Sequence, residues 1–254
     1  MPDRGDSFGG RVLVCQDAPV ADDLTLADIE AASQRLEGVV RRLPVHSARW
    51  LSDRVGGPAF LATENLQRAG SFKIRGAYNR LSQLNESERA VGVVAASAGN
   101  HAQGVALASQ MLGIQATIFM PRSASMPKVT ATRDYGADVR FHGATLDEAL
   151  VEARSFAQET GAIFISPFDH PDIVAGQGTL GLEILEQVPD VRTIVVCTGG
   201  GGLLAGVALA VGSLRPDVRV VGAQAAGAAA YPPSLIAGHP VPLKTMRTMA
   251  DGIA

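Results

Sequence analysis

The chain has 254 residues, 46% of them apolar and 19% charged, with a formal net charge of −3. That length suits one large domain or two small ones at about 100–200 residues each, and the apolar share excludes an intrinsically disordered chain. The near-neutral balance offers no Lys/Arg-rich face for nucleic acid, and no apolar run approaches the roughly 20 residues needed to cross a bilayer.

The amino terminus, MPDRGDSFGG, lacks the apolar core of a signal peptide. Cys15 and Cys197 are the two cysteines, too few for a disulfide framework or a four-ligand zinc site. Both features predict a soluble cytoplasmic protein. Residues 1–23, rich in Asp, Gly and Pro, read as a loose arm. Thr25 is placed to N-cap a helix whose apolar positions are Leu26, Ile29, Ala32, Leu36 and Val40. From Pro58 onward, short apolar runs alternate with longer amphipathic stretches. The runs predict strands at Ala59–Leu61, Val91–Ala96, Ala116–Met120, Val139–Phe141, Ile163–Ile165, Ile194–Cys197 and Val218–Ala223. Helices are predicted near 72–84, 101–112, 125–135, 145–160, 176–187 and 203–215, and the Ala-rich stretch Ala223–Ala230 reads as a helix start. Strands alternating with helices of this length imply βαβ units, an α/β fold and a largely parallel sheet covered on both faces. The apolar strands VGVVAA and TIVVC suit that burial.

Ligands of such sheets collect at the carboxyl ends of strands, where loops lead into helices. That rule singles out the loops after Ala96 and Cys197 and the helix start at Gly70–Lys73. In Gly70-Ser71-Phe72-Lys73-Ile74-Arg75-Gly76-Ala77, one reading is a helix capped by Ser71 with Lys73 solvated. Against it, Lys73 falls in the first turn, where the helix dipole disfavours a cation, and it is flanked by Phe72 and Ile74. A lysine in a partly apolar site loses its charge more readily and serves as an imine-forming nucleophile. In Ser97-Ala98-Gly99-Asn100-His101-Ala102-Gln103-Gly104, small residues after a buried strand leave backbone N–H groups exposed for a carboxylate or phosphate. The alternative there is an ordinary strand–helix turn, and His101 reads as structural, with no Asp or Ser at a telling offset. In Thr198-Gly199-Gly200-Gly201-Gly202-Leu203-Leu204-Ala205-Gly206, successive glycines allow the backbone to wrap a phosphate. The rival dinucleotide fingerprint also wants an acid about 20 residues on, where Gln224 stands. An amine, a carboxylate loop and a phosphate cup on one sheet edge are the requirements of a pyridoxal phosphate enzyme.

GSFKIRGA, SAGNHAQGVA, AGQGTLGLEI and TGGGGLLAG, in this order, resemble the threonine/serine dehydratase family of fold-type II pyridoxal phosphate enzymes. The resemblance runs from about Ala21 to the end and is strongest to the short, catabolic-type threonine dehydratases, with serine racemase a relative of different main reaction. It implies a tryptophan synthase β-like fold of two parallel-sheet, three-layer domains. Residues 68–168 would form a small mobile domain, and 1–67 with 169–254 the larger cofactor domain. It further implies pyridoxal 5′-phosphate as cofactor, held by Lys73 as a Schiff base. Phe72 would pack against the pyridine ring, Asn100 would bond the 3-hydroxyl, and Gly199, Gly200, Gly201, Gly202 and Leu203 would cradle the phosphate. Ser97, Ala98, Gly99, Asn100 and His101 would take the substrate carboxylate. The implied reaction converts L-threonine to 2-oxobutanoate and ammonia, or L-serine to pyruvate, in a homo-oligomer. Alternatives are serine racemase, another fold-type II enzyme acting on cysteine or O-acetylserine, and an inactive cofactor-binding remnant. Racemising relatives carry a serine where Ala98 stands. Metal-binding relatives carry two carboxylates where Gln224 and Ala230 stand, so no metal is expected. Ala62 replaces a lysine usual in relatives, and the family's segment following Ala254 leads to the expectation of an incomplete larger domain.

Overall fold

The computed structural model describes Leu13–Val14, residues 24–250 and residue 252. Apart from the strand at Leu13–Val14, the arm expected over 1–23 lies outside the described residues. In chain order the elements are β1 (Leu13–Val14), α1 (Leu26–Arg35), β2 (Val45–Ser47), α2 (Arg49–Val55), β3 (Phe60–Ala62), α3 (Lys73–Ser82), α4 (Glu86–Val91), β4 (Val93–Ala96), α5 (Asn100–Leu112), β5 (Ala116–Met120), α6 (Met126–Asp134), β6 (Asp138–Phe141), α7 (Leu146–Thr160), β7 (Ile163–Phe164), α8 (Pro171–Gln187), β8 (Thr193–Cys197), α9 (Gly202–Leu214), β9 (Arg219–Ala223) and α10 (Tyr231–Ala237).

β4 to β7 form a fully parallel sheet of order β6-β5-β4-β7. β4 shows why its sequence is apolar throughout. Val93 and Ala95 pack with Ile74 and Leu81 of α3, Val105 of α5 and Val129 of α6. Val94 and Ala96 face the other way, onto Ala149 and Ala153 of α7. Two covered faces give three layers, as a continuous apolar strand requires. β8 and β9 run parallel in a second sheet, to which β1 adds antiparallel; β2 and β3 pair antiparallel.

β8 corrects one expectation. Its residues alternate between buried and exposed: Ile194 and Val196 pack under α9, while Val195 is 65% exposed. TIVVC is therefore covered on one face among the described residues. Three further differences have local causes. Val91 ends α4 rather than starting a strand, because Asn85 caps that helix by accepting the Glu88 N–H at 2.9 Å. α8 begins at Pro171, five residues ahead of the expected 176, because His170 Nδ1 accepts the Asp172 N–H and Pro171 suits the first helical position. Ala226–Ala228 forms only a 3₁₀ turn, and the helix expected from the Ala-rich stretch starts at Tyr231.

The glycines of AGQGTLGLEI are packing residues. A Cβ on Gly176 would lie 2.6 Å from the Gly76 Cα, and one on Gly178 would lie 2.9 Å from the Gly206 carbonyl oxygen. Missing side chains thus let α8 touch α3 on one side and α9 on the other. This contact fixes Lys73, at the start of α3, relative to the glycine loop that starts α9.

Candidate active site

α3 starts at Lys73 with Phe72, not Ser71, as its N-cap; the Lys73 N–H reaches Ser71 Oγ at only 3.4 Å. Gly104 of α5 backs the lysine, for a Cβ there would lie 3.0 Å from the Lys73 Cβ. Lys73 Nζ donates to the Pro167 carbonyl at 2.5 Å and stands 5.4 Å from the Phe72 ring centre. Burial lowers its pKa from 10.5 to about 8, since a poorly hydrated ammonium is costly. No carboxylate is among the causes of that shift, and the amine is correspondingly easy to deprotonate.

Across the cleft, Cys197 ends β8 and the glycine loop turns into α9, with Gly201 at φ 94°. The first helical hydrogen bond is Ala205 N–H to Gly201 O at 2.8 Å, so the N–H groups of Gly202, Leu203 and Leu204 precede it. The cleft is lined by Phe72, Lys73, Pro167, Phe168, Gln177, Cys197, Gly199–Leu204 and Gly252. Two of the three segments expected to meet, those of Lys73 and of the glycines, do meet here.

The Ser97–His101 loop stands beside this cleft. Asn100 opens α5, and its amide nitrogen lies 3.9 Å from where a Cβ of Gly252 would be. Ser97 Oγ accepts the Gly99 N–H at 3.1 Å, and Gln103 N–H to Gly99 O is the first bond of α5. The N–H groups of Asn100, His101 and Ala102 therefore precede the helix's own bonds. The His101 side chain is buried, with Nε2 3.0 Å from the Ile165 carbonyl. Burial, reinforced by the nearby Lys73 charge, pushes its pKa down to about 3. It is a neutral imidazole held against a backbone carbonyl, so the group this residue leaves unpaired within α5 is its backbone N–H. Gln224 Oε1 accepts the Tyr231 N–H at 3.0 Å.

Sequence reasoning missed Pro167, Phe168 and Gln177. The first two follow β7, and the same strand-end rule that selected the loops after Ala96 and Cys197 selects this loop as well. It also missed Arg75. This fully buried guanidinium bonds Glu64 Oε1 at 2.8 Å, Glu183 Oε1 at 2.7 Å and Thr179 Oγ1 at 3.1 Å. The paired carboxylates raise its pKa above the usual arginine value despite burial, which acts the other way.

The residues present fit a phosphorylated aldehyde. A Cβ on Gly202 would lie 2.7 Å from the Phe168 carbonyl oxygen, and one on Gly200 or Gly201 would overlap the Phe168 ring or the Tyr231 hydroxyl. Only glycines permit this close approach, and it brings the backbone of the glycine loop and a low-pKa amine into the lining of one cleft.

Residues 36–254 match the family described as pyridoxal-phosphate dependent enzyme. The chain belongs to that family. It is 50% identical over 231 residues to the L-threonine ammonia-lyase of Thermotoga maritima, covering 91% of this chain and 58% of that protein. It is 45% identical over 239 residues to the catabolic L-threonine dehydratase TdcB of Escherichia coli K12, covering 94% and 71%. Among solved structures it is similar to the processed threonine deaminase isoform 2 of Solanum lycopersicum, with a TM-score of 0.89, 40% identity and coverage of 96% and 72%. Maize serine racemase follows at a TM-score of 0.87, 39% identity and coverage of 91% and 70%. The chain thus spans little more than half the length of the Thermotoga relative. The family's cofactor is pyridoxal phosphate, and Lys73 with the Gly199–Leu203 cup are the residues that would hold it.

Proposed function

We propose that this chain carries the cofactor-binding machinery of an L-threonine ammonia-lyase, which converts L-threonine to 2-oxobutanoate and ammonia and L-serine to pyruvate and ammonia. The observation that carries the reading is the Lys73 amine, its proton affinity lowered by burial, in one cleft with the glycine cup. When bound, pyridoxal phosphate supplies an aldehyde for the amines and a conjugated ring that delocalises electrons from the substrate Cα. Lys73 Nζ would hold the cofactor and, as a free amine, would accept the proton from the substrate Cα. The N–H groups of Gly199–Leu203 hold the phosphate, favoured by the α9 dipole. Phe72 would pack on the ring and Asn100 would orient it. The α5 amino terminus, with the Ser97–His101 backbone, takes the substrate carboxylate. In this reading residues 68–168 form the smaller domain, supported by the β6-β5-β4-β7 sheet's falling within them. A cytoplasmic location and a homo-oligomeric assembly belong to the same proposal.

Serine racemase is the second reading, favoured by its similar fold. Ala98 argues against it, because a methyl group in place of a serine hydroxyl supplies no proton to the substrate face away from Lys73. The test incubates the purified protein, with added pyridoxal phosphate, with L-threonine, L-serine or O-acetylserine, and measures ammonia, 2-oxo acid and D-serine. We expect 2-oxo acid and ammonia from threonine and serine, little D-serine, and loss of both turnover and cofactor attachment in Lys73→Ala. D-serine forming as fast as pyruvate, or turnover confined to O-acetylserine, would overturn the reading.

A further inference from the structure

The loop after β7 reaches Lys73, His101 and the glycines of the cleft. Ile165 O is 3.0 Å from His101 Nε2, and Ile165 N–H bonds Val94 O at 2.9 Å, so the loop's first residue is tied to the sheet. Its far end is tied as well, by His170 capping α8. Between these anchors, Pro167 O accepts from Lys73 Nζ at 2.5 Å. The next residue, Phe168, lies on the glycines. A Cβ on Gly200 would overlap its ring, and one on Gly202 would lie 2.7 Å from its carbonyl oxygen and 3.2 Å from its Cα. The water-accessible space left in the partly open cleft beside it is about 40 Å³, room for a few water molecules. Phe168 is nonetheless 39% exposed, so it is not a core side chain whose withdrawal would open a large cavity.

We propose that Phe168 is the stopper of the phosphate cup: it competes with the cofactor's phosphate for Gly200–Gly202, and cofactor enters only when the Ser166–Asp169 segment swings outward. This rests on the cofactor reading above and adds the residue that controls loading. Because Pro167 and Phe168 are adjacent, the movement that clears the cup also releases Lys73 from the Pro167 carbonyl. Phosphate seating and amine availability are therefore one event. Opening precedes attachment, and its rate is a property of the protein alone.

Stopped-flow mixing of cofactor-free protein with increasing pyridoxal 5′-phosphate, followed by cofactor absorbance, tests this without any assay of turnover. The wild-type rate is expected to level off at a plateau equal to the opening rate. Phe168→Ala should raise that plateau at least tenfold or abolish it, whereas Phe168→Tyr should stay within about twofold of wild type. A wild-type rate that climbs linearly over the whole concentration range, or an unchanged plateau in Phe168→Ala, would overturn the stopper. A linear wild-type curve overturns the stopper even if the alanine variant folds poorly, and Phe168→Tyr with Phe168→Leu then replaces the alanine comparison of plateaus. Lack of cofactor uptake by wild type at any concentration would instead overturn the cofactor reading, and the stopper with it.

Discussion

Lys73 is chemically distinct because two local circumstances act on one amine. It sits in the first turn of α3, where the dipole opposes a cation, and its Nζ is poorly hydrated. With a pKa of about 8 instead of 10.5, the neutral form is half populated near pH 8. Acetylation of Lys73 in the cofactor-free protein, quantified by mass spectrometry, should rise through a midpoint near pH 8. A midpoint at the ordinary lysine value would contradict the assignment. The same shift has a consequence for stability. Between about 8 and 10.5 the unfolded chain keeps a proton that the folded chain has released. This group's contribution to stability therefore rises with pH across that window, and below it the penalty for burying the ammonium is fully present.

At the scale of elements, helix contacts set where the lysine stands. Gly→Ala ordinarily stabilises a helix interior by about 1 kcal/mol. At Gly176 the added methyl would lie 2.6 Å from the Gly76 Cα and 2.7 Å from the Arg75 carbonyl oxygen. Both are backbone atoms that cannot turn aside. Overpacking then outweighs propensity, and Gly176→Ala should lose about 1–3 kcal/mol. At Gly212 of α9 nothing lies within 4 Å, so Gly212→Ala should gain up to about 1 kcal/mol. Urea midpoints of the two variants should move in opposite directions; equal shifts would refute the packing role given to the glycines of α8.

At the scale of the molecule, segments distant in sequence are joined through one buried charge. Arg75 of α3 bridges Glu64, ahead of the lysine segment, and Glu183 of α8. Removing the guanidinium would leave two largely buried carboxylates facing each other without a cation. Arg75→Leu should therefore cost about 3–5 kcal/mol in denaturant unfolding, and the triple change with Glu64→Leu and Glu183→Leu should recover most of it. A loss below about 1 kcal/mol in the single variant would show that water replaces the arginine. Among the described residues no helix is long and apolar enough to cross a membrane.

The sequence by itself determined the alternation of strands and helices, because a strand covered on both faces must be apolar throughout, and VVAA and ATIFM announce that directly. It also singled out Lys73, the Ser97–His101 loop and the Gly199–Gly202 loop as candidates, since each lies in a contiguous run at a strand end or helix start. Tertiary structure alone decided what those runs face. Exposure of Val195 depends on which neighbours the β8–β9 sheet has, and strand hydrophobicity does not encode that. Arg75 reads as one charge among many on an amphipathic helix until Glu64 and Glu183 are folded against it. Phe168 reads as an ordinary loop aromatic, and only the close approach of the loop after β7 to the start of α9 sets it on the glycines. Local patterns fix which groups a segment offers. Long-range packing fixes which of them meet, because a contact across 108 residues leaves no periodicity in the chain.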